Sequence, residues 1–255
     1  MYKFDEKKVV KDLVKWLKDW FKENGKDSNA IIGISGGKDS TVVASLCVKA
    51  LGKDRVIGVL LPNGKQSDIE DSIRVCNLLK IKYTIINIKD IVDTSKKLLL
   101  NSLDEFNKKE LSNQTLINLP ARVRMTVLYG ISQTLNGRVL NTCNLSEDWI
   151  GYSTRYGDAA GDVSPLANLT VNEVRKIGIE LGLPEDLVYK TPSDGLSGKT
   201  DEDNLGFTYE TLDKYIREGI CEDKEIKKLI DDRHKQNEFK LKPIPFYKYG
   251  TIKIK

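Results

Sequence analysis

Histidine is almost missing from this 255-residue chain. The single one, His234, lies in the charged stretch Asp231-Asp232-Arg233-His234-Lys235. A surface position is expected there, which argues against histidine-centred acid–base or metal chemistry. Cysteine is scarce as well: Cys47, Cys76, Cys143 and Cys221 stand apart, with no C-x-x-C pair. That spacing argues against a zinc site and a disulfide framework, and suits a reducing cytoplasm. Cys47, Cys76 and Cys143 have apolar neighbours and are expected to fill core space. No apolar run nears the roughly 20 residues of a membrane span. The stretch Met1 to Lys18 is charged throughout, so no signal-peptide core is expected. Neither sign of charge dominates, with 41 Lys and Arg against 37 Asp and Glu. The resulting net charge of +4 is spread along the chain, so neither nucleic acid nor a membrane is expected as a partner. Repeats and low-complexity tracts are also missing.

What remains is an ordinary globular composition, 40% hydrophobic and 31% charged, long enough for one large α/β domain over residues 1–255. Val9, Val10, Leu13, Val14, Leu17, Trp20 and Phe21 recur at helical spacing, and Gly25 ends that helix. Ala30-Ile31-Ile32-Gly33-Ile34 reads as a buried parallel strand, followed by a glycine loop and a helix over Thr41–Leu51. Further strands are expected at Val56–Leu61, Tyr83–Ile88 and Arg138–Asn141. A helix carries Ile69, Ile73, Cys76 and Leu79 on one face, a broken helical stretch covers Ile91–Leu111, and another helix runs from about Pro120 to Leu135. Thr170-Val171-Asn172-Glu173 is a capping box opening a helix to Leu181. Helices at about Tyr209–Arg217 and Glu222–Asn237 end the chain, with a C-terminal extension over 239–255. Strands alternating with helices predict a doubly wound parallel sheet flanked by helices, with ligands beyond the strands' carboxyl ends. Residues 191–206 have few apolar side chains, three glycines and four acids, and read as a mobile lid.

The loop Ser35-Gly36-Gly37-Lys38-Asp39-Ser40 falls at such a strand end. Its glycines let backbone approach a phosphate, and the following helix offers free N–H groups to an anion. Ser35, Ser40 and Lys38 add donors. It is not a Walker A loop, because Gly37-Lys38 is followed by Asp39 and not by Ser or Thr. An acid among phosphate ligands calls for a cation, so Asp39 reads as a Mg²⁺ ligand.

This loop resembles the S-G-G-x-D-S of the PP-loop ATP pyrophosphatases (adenine nucleotide alpha-hydrolase-like fold), which adenylate a substrate and release pyrophosphate. Five later segments resemble the ammonia-dependent NAD⁺ synthetase family in particular. They are Leu61-Pro62-Asn63-Gly64-Lys65-Gln66-Ser67-Asp68, Asn118 to Met125, Thr142 with Glu147, Thr154 to Asp162, and Pro192-Ser193-Asp194 with the acids after it. The resemblance covers about residues 5–247. It implies that deamido-NAD attacks ATP through its nicotinate carboxylate and that ammonia then displaces AMP to give NAD⁺. It assigns Gly33, Ile34, Ser35, Gly36, Gly37, Lys38, Asp39, Ser40, Thr142 and Ser193 to ATP, and Asp39 and Glu147 to Mg²⁺. Arg122, Arg155, Asp162, Phe239 and Lys240 go to deamido-NAD, with Lys38 and Asp162 as catalytic groups. A homodimer in the cytoplasm is implied too.

Plainer roles compete. Glu147 could serve a helix N-terminus, Arg122 a neighbouring acid, and Thr142 or Asp162 a turn. The chain departs from the family pattern in three places. Arg155 and Val171 stand where lysine is common, and Phe239 stands where histidine is. Val171 removes an expected phosphate contact. Two other functions remain open. One is a tRNA-modifying PP-loop enzyme, disfavoured by the cysteine spacing and mild charge. The other is a non-catalytic nucleotide-binding module, disfavoured by two candidate metal ligands.

Overall fold

A computed structural model describes residues 2–66, 69–190, 201–247 and 249–250. The chain begins with α1 (Glu6–Asn24), β1 (Asn29–Gly33), α2 (Lys38–Leu51), β2 (Val56–Leu60), α3 (Ile69–Leu79), β3 (Lys82–Ile85) and α4 (Lys89–Ser102). It continues through α5 (Asn113–Thr134), β4 (Gly137–Val139), α6 (Leu145–Trp149), α7 (Val171–Glu180) and α8 (Glu185–Val188). It closes with α9 (Asp201–Leu205), α10 (Tyr209–Glu218) and α11 (Lys224–Leu241).

The four strands form one parallel sheet in the order β3-β2-β1-β4. Ala30 pairs with Val56 on one side and Arg138 on the other. The chain therefore winds outward from β1 to β3 and returns to the opposite side of β1. That reversal opens a crevice beyond the carboxyl ends of β1 and β4, the ligand position of a doubly wound sheet.

Both faces of the sheet are covered. Ala30 and Ile32 pack among Leu17 and Phe21 of α1, Val42 and Leu46 of α2, and Ile177 of α7. Ile31, one residue out of phase, packs with Val123, Met125 and Leu128 of α5. This period-2 division keeps β1 free of polar side chains from Ala30 to Gly33 and marks it as a central strand. Full burial of Ile31 or Ile32 contributes roughly 1.5–3 kcal/mol each. A third cluster, including Ile150, Val171, Phe207, Leu212 and Ile230, joins α10 and α11 to α6 and α7. Asp213 fastens it, accepting from the Ser146 hydroxyl at 2.5 Å and the Asn172 amide at 2.8 Å.

Several boundaries differ from expectation. The helix expected from Pro120 starts at Asn113, because Ser112 caps it by accepting from the Thr115 amide. Pro120 thus lies inside α5, where neighbouring Leu116 and Ile117 are exposed and water can meet the carbonyl the proline leaves unpaired. The expected loop over 191–206 is in part α9, while residues 191–200 lie outside the described residues. The C-terminal extension begins inside α11, which runs to Leu241. His234 is not a bare surface residue. Its ring stacks on Trp149 with centroids 4.1 Å apart, and its Nδ1 lies 2.8 Å from the Trp149 carbonyl. Among the described residues no helix is long and apolar enough to cross a membrane.

Candidate active site

The glycine loop lies at the carboxyl end of β1, in the crevice between β1 and β4. The Ile34 amide donates to the Val59 carbonyl at 3.0 Å, so the ladder holds the chain up to the loop itself. Gly36 then turns at φ +78°, and a Cβ there would meet the Ser72 amide and Asp71 Cβ at 2.9 Å. Only glycine satisfies both the angle and the clearance. Ser35 and Ser40 brace the turn: their hydroxyls lie 3.2 Å apart, and the Ser35 hydroxyl accepts from the Gly37 amide at 3.2 Å. α2 starts three residues earlier than the sequence suggests. Lys38, Asp39 and Ser40 therefore form its first turn, and no side chain caps that end. Uncapped N–H groups and the helix dipole make it suited to an anion.

Lys38 is the centre of the arrangement. Its side chain is 2% exposed, with Nζ 2.7 Å from Asp39 Oδ2 and 4.0 Å from Glu147 Oε1. Burial alone disfavours the ammonium, but the two carboxylates outweigh it and raise its pKa above the ordinary lysine value. Glu147 comes from α6, which follows β4. The chain leaves β4 through buried Asn141, half-buried Thr142 and buried Cys143 to Asn144, the N-cap of α6. Asn144 and Glu147 form a capping box, and the Asn144 amide group also donates to Asp39 Oδ1 at 3.1 Å. Asn144 thereby joins the β1 and β4 halves of the site. The sequence reasoning missed it, although Asn-x-x-Glu at a helix start is a capping signal.

Asp39 and Glu147 have the chemistry of a metal-binding pair. Two hard carboxylates sharing one cation, each under a fifth exposed, match the one or two carboxylates that Mg²⁺ takes alongside substrate phosphates. No group of three or more His, Cys, Asp or Glu that could bind a metal unaided occurs among the described residues.

The expected dinucleotide residues gather beside β4. Arg122 of α5 donates from Nε to the Arg155 carbonyl at 3.3 Å. The Arg155 guanidinium lies 5.1 Å from the Tyr156 ring and 5.5 Å from the Phe239 ring. Lys240, next on α11, donates to the Gly151 carbonyl at 2.8 Å, and burial lowers its pKa. A cleft of about 310 Å³ is lined by Asn141, Asp148, Ser153, Asp162 and Lys240, among others. Burial raises the pKa of Asp148 within it.

Asp162 also secures the edge of the sheet. Its Oδ2 accepts from the Val139 amide at 2.7 Å and its Oδ1 from the Tyr129 hydroxyl at 3.3 Å. Burial, and then Asp162, raise the pKa of that tyrosine to about 12. Gly161 admits Asn141 so closely that a Cβ would lie 2.8 Å from the Asn141 amide nitrogen. Val171 is fully buried in the third cluster, so its position brings no charge to the loop. Ser193, and Ser67-Asp68 of the second loop, lie outside the described residues.

The sequence pattern of the NAD synthase family matches residues 9–244. The chain is 44% identical over 217 residues to the NH3-dependent NAD⁺ synthetase of Pyrococcus furiosus, covering 85% of this chain and 79% of that protein. Among solved structures, the fold is similar to the NMN synthetase of Francisella tularensis (TM-score 0.83, 32% identity, 97% of this chain and 100% of that one). It is also similar to the NH3-dependent NAD synthetase of Campylobacter jejuni (TM-score 0.76, 29% identity, 96% and 100%).

Proposed function

The chain belongs to the NAD synthase family, and from that premise we propose that it uses ATP to amidate deamido-NAD with ammonia, yielding NAD⁺, AMP and pyrophosphate. The observation that carries this reading is the pair of carboxylates, Asp39 and Glu147, gathered on the buried Lys38 ammonium in the first turn of α2. Such a cluster suits a polyphosphate and a divalent cation together. In the first step the nicotinate carboxylate attacks the α-phosphorus of ATP, and pyrophosphate leaves. Two anions approach each other, so neutralising charge is the main task.

In this reading the uncapped start of α2 and Lys38 grip the phosphates, while Ser35 and Ser40 keep the loop turned. Asp39 and Glu147 hold Mg²⁺, which supplies Lewis-acid neutralisation when bound. Thr142 and Ser193 complete the ATP contacts. Arg122, Arg155, Phe239 and Lys240 orient the dinucleotide, with the Arg155 guanidinium near two aromatic rings, Tyr156 and Phe239. In the second step ammonia attacks the acyl adenylate, AMP leaves, and Asp162 takes the proton.

The enzyme works as a homodimer in the cytoplasm on this reading. Exposed Leu98 and Leu99 of α4, with Leu116 and Ile117 of α5, offer an apolar surface suited to a second copy, and the cysteines are free. Sedimentation as a monomer would refute the dimer.

The reaction is tested by incubating the protein with deamido-NAD, ATP, Mg²⁺ and either ammonium or glutamine. NAD⁺ and AMP are expected with ammonium. Absence of NAD⁺ refutes the substrate, and ADP in place of AMP refutes the site of cleavage. One observation favours a second reading, amidation of the mononucleotide to give NMN: the likeness in fold to the Francisella tularensis NMN synthetase. Comparing kcat/KM for the deamido dinucleotide and mononucleotide separates the two.

A further inference from the structure

Among the described residues two buried side-chain polar atoms have no hydrogen-bond partner, Ser72 Oγ and Arg175 Nε. Both border the glycine loop. Ser72 lies against Gly36, its Oγ 3.1 Å from where a Cβ on that glycine would stand. Arg175 approaches from the other side, on α7. There Gly178 packs on α2 so closely that a Cβ would lie 3.3 Å from Val42 Cγ2. One turn back along each helix stand Arg175 and Lys38. At the start of α7 the Val171 amide donates to the hydroxyl of Ser146, the residue before Glu147. Arg175 is thus bracketed by the first turn of α2 and by α6. Its Nη1 donates to Asn172 Oδ1 at 3.0 Å, and its guanidinium lies 5.9 Å from the Tyr189 ring. No carboxylate pairs with it among the described residues, while Lys38 beside it takes two. The arginine charge reaches Lys38, where it opposes the rise that Asp39 and Glu147 produce. Two cations side by side, one lacking an anion and carrying an orphaned buried N–H, form an unbalanced arrangement that a bound anion would complete.

We propose that Arg175 is a phosphate-binding residue of this site, its guanidinium donating to the β- and γ-phosphates of ATP and keeping hold of pyrophosphate as it leaves. The assignment rests on the reading of the glycine loop as an ATP site. As the substrate carboxylate oxygen bonds to the α-phosphorus, the bond to the α–β bridging oxygen breaks and its electron pair departs with pyrophosphate. No proton moves, so the leaving group gathers negative charge, and a planar fork of donors suits its oxygens.

Arg175→Gln tests this by calorimetric titration of the whole protein with pyrophosphate, ATP and AMP, alongside thermal melting. Losing a charge-assisted contact is expected to weaken pyrophosphate and ATP roughly 10- to 100-fold. AMP affinity should stay within about twofold, because AMP lacks the phosphates in question. Unchanged pyrophosphate affinity overturns the assignment. An equal loss for AMP and pyrophosphate also overturns it, since it would show that Arg175 only supports the packing of α7. Should Arg175→Gln not fold, Arg175→Lys carries the same test: about threefold or greater weakening for pyrophosphate alone supports the fork, and equal affinities overturn it. Wild-type protein that bound no pyrophosphate would refute the ATP site itself, a failure distinct from either.

Discussion

Lys38→Met keeps most of the volume of a side chain that is 2% exposed and deletes its charge. Asp39 and Glu147, only 18% and 19% exposed, then lose the ammonium that lies between them. At 4 Å a single ion pair amounts to about 4 kcal/mol at an effective dielectric of 20. Removing one partner of a buried pair typically costs about 3–5 kcal/mol. For a chain of this length each kcal/mol lowers the melting midpoint by about 2–4 °C. A fall of roughly 6–20 °C is therefore expected in thermal unfolding followed by circular dichroism without divalent ions. Millimolar Mg²⁺ should restore part of the loss, and should raise the midpoint of the variant more than that of the wild type, because the carboxylates have lost their built-in cation. Pyrophosphate should do the opposite, stabilising the wild type and leaving the variant nearly unmoved. A midpoint within about 2 °C of wild type, with no added response to Mg²⁺, would refute the description of Lys38 as the hub of the site.

Gly36→Ala should cost about 1–3 kcal/mol through its positive φ and the 2.9 Å approach to Ser72, and should weaken ATP binding more than AMP binding; equal affinities for both would show a loop that bends freely. Asp162→Asn retains an oxygen for the Val139 amide, so its melting midpoint should stay near wild type while amidation by ammonium falls at least about tenfold. Full amidation would leave Asp162 as a clasp for the sheet edge alone. Glu173 is buried, which disfavours its charge, yet Arg217, Tyr2 and the Thr170 amide hold its pKa below the ordinary 4.5. A depressed carboxyl contributes stability that is present above 4.5 and lost as pH falls through the folded value. Melting midpoints of wild type and Glu173→Gln should accordingly differ at neutral pH and converge in acid, and a constant gap across that range would refute the ion pair.

Periodicity and turn chemistry are local, and they carried the sequence a long way. β1 to α3 could be read to within about three residues, because apolar runs, glycines and caps all lie within a few positions of the elements they define. The start of α5 was hidden: Pro120 is a plausible first helical residue, and only the Ser112 cap shows that the helix is already under way. His234 looked superficial because its neighbours are charged, yet its ring packs on Trp149 from a distant element. In the site, Ser35 to Ser40 were legible as one motif, and Arg122, Arg155, Phe239 and Lys240 do come together. The Asn144 bond to Asp39 and the placement of Arg175 beside the glycine loop were not legible, since each joins elements far apart in sequence.

Asn144 donates to Asp39 across 105 positions of sequence. The consequence concerns synthesis. A nascent chain that has emerged only through β3 carries the complete glycine loop, yet neither Asn144 nor the second carboxylate exists outside the ribosome. Contacts of such separation form late, once strand β4 has paired with β1. Growing chains therefore expose the glycine loop with only one of the two carboxylates that flank Lys38, and the pair is completed when α6 docks behind β4.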